Sequence, residues 1–123
     1  MIVLDDQLHN SVVAAAIARW YQGAVRFIGD LRPGKRVLDP AIPSLLLELH
    51  QPTFVTINYD DFWQRKLAHP GYCIVCLKIE QNRTRLVAPV LREVLSLPEL
   101  RAKRQRMGKV ISWRDSEIKW LPV

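Results

Sequence analysis

The chain has 123 residues, 49% hydrophobic and 24% charged, a balance that excludes a disordered or fibrous protein. No apolar run approaches the ~20 residues that cross a bilayer, and the start lacks the pattern of a secretion signal. One domain over 1–123 in the cytoplasm is therefore expected. The net charge of +6 favours a polyanionic partner such as nucleic acid over a membrane surface.

Ile2 to Leu4 is an apolar strand that runs into Asp5 and Asp6. Leu8, Val12, Val13, Ala16, Ile17 and Trp20 recur at helical spacing and predict an amphipathic helix over about 8–22, ended by Gly23. Val25 to Ile28 is a second strand, and 29–40 (GDLRPGKRVLDP) is a loop. Ser44 to His50 is a short leucine-rich helix entered through Pro43. Thr53 to Ile57 is a third strand, followed by acids and a helical turn through Phe62, Trp63 and Leu67. A fourth strand covers 72–77, and Leu86 to Leu95 mark a helix with Pro89 either near its first turn or kinking it. Val110 to Trp113 and Ile118 to Leu121 are closing strands, with Asp115-Ser116 as a hairpin turn. The tail 110–123, which carries Trp113 and Trp120, either closes the sheet or forms an interface, a homodimer included. The alternation predicts an α/β fold with a mainly parallel central sheet flanked by helices on both faces.

Cys73 and Cys76 form a CxxC, but Tyr72 to Leu77 reads as a buried strand. Residues three apart on a strand point to opposite faces, so two separate core thiols are expected rather than a redox or zinc pair. Residues 101–109 hold Arg101, Lys103, Arg104, Arg106 and Lys109 without an acid. Such a run is either a solvated face or a polyanion contact; the net charge favours the second, joined by Arg32 and Lys35 from the loop. His9, His50 and His69 lack ligand spacing and read as surface or capping residues.

In a parallel sheet, ligands sit outside the carboxyl ends of the strands. Asp5 and Asp6 follow the first strand, Asp60 and Asp61 follow the third, and Asp39 closes the long loop. Converging carboxylates repel one another, and oxygen-only donor sets suit Mg²⁺ or Mn²⁺. Each acid also has a structural reading. Asp6 could cap the first helix, Asp39 could open a turn before Pro40, and Asp60 or Asp61 could cap the next turn. Asp5 is hardest to explain that way, because it ends a buried strand.

These segments together resemble a family. Leu4-Asp5-Asp6-Gln7-Leu8 is similar to the L-D-E-N-L opening of small PIN-like proteins. Phe54 to Phe62 resembles their second signature, a strand ending in V-T and followed by acids and D-F, and Leu38-Asp39 matches their middle acid. The resemblance spans at least residues 1 to 80. It implies a three-layer PIN-like fold and a Mg²⁺- or Mn²⁺-dependent ribonuclease, with a cognate antitoxin protein as partner. Asp5, Asp39 and Asp61 would be the catalytic metal ligands, and Asp6, Asn58 and Asp60 secondary ones. The basic residues would track the backbone of an RNA substrate. Asn58 departs from the family's first acid in T-x-D-x-D-F, and one extra residue precedes Asp61-Phe62. Two rival readings follow: a degenerate PIN-like domain that binds RNA or protein without cutting, and a phosphoacceptor receiver. A receiver needs an acceptor Asp where Ile57-Asn58 stands.

Overall fold

The segments Ile2–Leu4, Thr53–Thr56 and Cys73–Leu77 are short and buried along their whole length, so both faces of the sheet they form demand cover. A computed structural model, which describes residues 1–122, assembles them into one sheet of order β2-β1-β3-β4-β5-β6. The strands are β1 (Ile2–Leu4), β2 (Val25–Phe27), β3 (Thr53–Thr56), β4 (Cys73–Leu77), β5 (Val110–Arg114) and β6 (Glu117–Leu121). The first five are parallel, and β6 returns antiparallel against β5. The expected mainly parallel α/β sheet is what the chain forms.

Side chains alternate along each strand and so build two cores. Ile2, Leu4, Val55, Val75, Leu77 and Ile111 pack on one face with α1 (Ser11–Ala18) and α4 (Val87–Leu95). Val3, Phe54, Ile74 and Val110 pack on the other with α2 (Ile42–Leu46) and α3 (Tyr59–Phe62). Cys73 belongs to the first core and Cys76 to the second, both as free thiols. Burial pushes the Cys73 thiol up to about 12 and raises that of Cys76 as well. Neither forms a thiolate near neutral pH, which agrees with two inert core residues.

The first helix is shorter than its periodicity predicts. Asp6–Leu8 forms a separate 3-10 turn, and α1 starts only at Ser11. The cause is Asn10, whose Oδ1 accepts the backbone N–H groups of Val12 (2.8 Å) and Val13 (3.4 Å). Asn10, not Asp6, is therefore the cap of this helix. Val12 is left 72% exposed, while Val13 and Ile17 are buried. Replacing Asn10 with alanine is expected to lower stability by about 1 kcal/mol, read from the urea midpoint. A change below about 0.3 kcal/mol would deny it the capping role.

At the other end, Asp115 and Ser116 both have positive φ (50° and 63°) and join Arg114 to Glu117, the conformation a two-residue hairpin needs. The tail closes the sheet as its edge strand; its last residue, Val123, lies outside the described residues. No helix among the described residues is long and apolar enough to cross a membrane.

Candidate functional site

The chain leaves β1 for one edge of the sheet at β2, then returns to the far side of β1 as β3. Such a reversal opens a crevice at the carboxyl ends of the two central strands. Asp5 stands at its floor. Its backbone N–H donates to the Val55 carbonyl (3.0 Å), so the main chain is fixed one residue beyond β1. One carboxylate oxygen accepts the Asp6 N–H at 2.8 Å and so caps the turn Asp6–Leu8. The other accepts the Thr56 hydroxyl at 2.6 Å. Burial holds the Asp5 carboxyl above the usual carboxylate range, opposed by these two hydrogen bonds and reinforced by the charges of Asp39 and Asp6.

Thr56, the last residue of β3, also accepts the Asn58 N–H at 2.9 Å. One hydroxyl thus ties the end of β1 to the segment leaving β3. Beyond it, Asn58 Nδ2 donates to Asp39 Oδ2 and to Asp61 Oδ2, each at 2.9 Å. A single amide group bridges two carboxylates from separate elements. Asp39 opens the 3-10 turn Asp39–Ala41 ahead of α2, and Asp61 lies in α3. Asp5, Asp6, Arg36, Asp39 and Asn58 line one cleft of about 480 Å³. Asp61 stands one hydrogen bond behind its wall, through Asn58.

Asp60 does not join the cleft. It lies 3.9 Å from Lys78 Nζ, because adjacent residues of a helix point about 100° apart. Among the described residues, no three His, Cys, Asp or Glu side chains are grouped as a metal site. The neutral amide of Asn58 occupies the position between Asp39 and Asp61.

The basic run lies elsewhere. Arg106, in α5 (Lys103–Arg106), is buried, and its Nε donates to Thr53 Oγ1 at 2.8 Å. Thr53 begins β3, so the run sits at the amino edge of the sheet, about 10 Å of strand away from the crevice. Arg106 is thus a core residue and not an RNA contact, and Arg101, Lys103, Arg104 and Lys109 stand on the wrong edge to serve the carboxylates. Lys109 Nζ is further engaged by the Gln105 carbonyl. Of the loop cations, Arg32 pairs with Glu48, while Lys35 and Arg32 line a groove that shares Arg36 with the acidic cleft.

Sequence reasoning missed Thr56 and Arg36. Thr56 is signalled by a hydroxyl at the carboxyl end of a strand with an apolar middle, and Arg36 by a cation three residues before Asp39. His9 stacks on Phe27 (4.2 Å between centroids), and His69 Nδ1 accepts the Gly71 N–H. In comparisons with known proteins, no family model, no curated protein and no solved structure matches this chain.

Proposed function

We propose that this protein is a Mg²⁺- or Mn²⁺-dependent endoribonuclease with a three-layer PIN-like fold, the toxin component of a toxin–antitoxin pair. The observation that carries the reading is the meeting of Asp39, Asn58 and Asp61 beside buried Asp5 where the strand order reverses. The donor chemistry fits a hard cation: three carboxylates and an amide offer only oxygen ligands once the Asn58 amide turns over to present Oδ1. Asp5, Asp39, Asp61 and Asn58 would hold the ion, with Asp6 at the rim. When bound, such an ion neutralises charge on a phosphodiester and activates a water.

The chain's own residues supply the rest. Thr56 fixes the orientation of Asp5 through its 2.6 Å hydrogen bond. Arg36, on the wall of the cleft, presents a planar guanidinium suited to a phosphate. Arg32 and Lys35 extend positive charge along the adjoining groove. Single-stranded or loop RNA suits an open cleft of this kind, since its backbone and bases are accessible.

A second reading, RNA or protein binding without cleavage, is favoured by Asn58 itself: its amide satisfies Asp39 and Asp61 with no cation. The receiver reading lacks an acceptor carboxylate at the end of β3, where Thr56 and Asn58 stand. Cleavage of structured RNAs in Mn²⁺ separates the first two. Exposed Asp39, replaced with alanine, is expected to lower the rate by about 100-fold, or some 3 kcal/mol of barrier. A wild-type protein that cuts nothing, and takes up no Mn²⁺ at millimolar concentration by calorimetry, would hand the assignment to the second reading.

A further inference from the structure

A second cleft opens on the same edge of the sheet. It encloses about 460 Å³ between the segments that follow β3, β4 and β5. Ile57 lines this cleft and Asn58 lines the acidic one, so neighbouring residues, about 3.8 Å apart at Cα, divide the two. Ile57, Leu86 and half-buried Trp113 give it an apolar floor, and Lys78, Arg83, Glu80 and Asp115 form a polar rim, in which Lys78 also lies 3.9 Å from Asp60. Arg83 and Glu80 make no ion pair among the described residues. The Trp113 Nε1–H is buried without an acceptor.

We propose that this cleft is a nucleotide subsite, in which Trp113 stacks an unpaired RNA base and Lys78 and Arg83 hold the adjoining phosphate. An aromatic floor accepts the π-face of any base. The cations meet the backbone, and Glu80 and Asp115 offer acceptors to base amino groups. A free phosphate would leave the indole unused, and a purely apolar ligand would leave the rim unpaired. The subsite rests on the ribonuclease reading for its place beside the reacting phosphate, and it gives that reading an RNA path along the carboxyl edge, away from the basic run.

The test is binding of a fluorescein-labelled single-stranded RNA of mixed sequence, by anisotropy, with EDTA present so that no cleavage occurs. Trp113→Ala is expected to weaken binding about tenfold or more, with Trp113→Phe largely restoring it. Arg83→Glu, at an exposed position, is expected to weaken binding and to flatten its salt dependence by about one counterion, and it decides the matter should Trp113→Ala not fold. The double change Lys103→Glu, Arg104→Glu at the amino edge is expected to leave binding within about twofold. Binding that ignores Trp113 and Arg83, binding lost only with Lys103 and Arg104, or no binding by the wild type each overturns the subsite. Because the ion is chelated, the outcome is independent of catalysis: RNA held through Trp113 but never cut would overturn the nuclease and keep the subsite.

Discussion

Asp5→Asn is expected to lower RNA cleavage by about 100-fold or more while leaving the protein at least as stable as the wild type at neutral pH. The carboxylate is 4% exposed and feels the charges of Asp39 and Asp6. Asparagine keeps an oxygen for the Asp6 N–H and removes the buried charge, and its amide NH2 faces the Thr56 hydroxyl, which then accepts where it had donated. The pH dependence has a definite sign. Burial raises the folded-state pKa above the unfolded one, so the native protein holds the extra proton between them. The contribution of Asp5 to stability therefore falls as pH rises through that window and levels off above it. In Asp5→Asn that slope disappears. Urea midpoints between about pH 3.5 and 7, measured beside cleavage, test both halves. Unchanged cleavage removes Asp5 from the site, and a stability loss above about 2 kcal/mol makes its role structural.

Arg106→Ala is expected to cost about 3 kcal/mol of stability. The guanidinium is 3% exposed. Its Nε donates to Thr53 Oγ1 at 2.8 Å, and its Nη1 donates to the carbonyls of Leu100 and Arg101, each at 3.0 Å. Burial lowers its pKa from the ordinary value, yet an arginine stays protonated. Truncation would strand the Leu100 carbonyl and the Thr53 hydroxyl away from water and leave the part-buried Arg101 carbonyl without its donor. Arg106→Lys keeps the charge but loses the fork that spans three acceptors, and an intermediate loss is expected. Chemical denaturation reads both; a loss below about 1 kcal/mol for the alanine variant would show that water replaces the guanidinium.

Much of the sheet is legible in the sequence, because short, β-branched apolar runs between turn residues differ from the period-3.6 pattern of the helices. The strand order is not legible, since only packing decides on which side of β1 the third strand lands. Helix bounds fail where a local cap overrides periodicity, as Asn10 does ahead of α1. Among the acids, Asp5, Asp6 and Asp39 reach one cleft, and Asp61 joins through Asn58. Nothing in an Asp60-Asp61 pair tells which faces inward; the helical rotation between them does. The basic run reads as uniform, yet Arg106 is singled out by a hydroxyl 53 residues away in sequence. Long-range partners of that kind leave no local signal.

The division of Cys73 and Cys76 between the two cores has a practical consequence. Each thiol is sealed beneath a different layer, so a thiol reagent reaches it only when that layer opens. Labelling of the native chain then proceeds as two separate reactions, one timed by departure of α1 and α4 and the other by departure of α2 and α3. The protein carries a native pair of reporters for whether its two faces come apart together or one before the other.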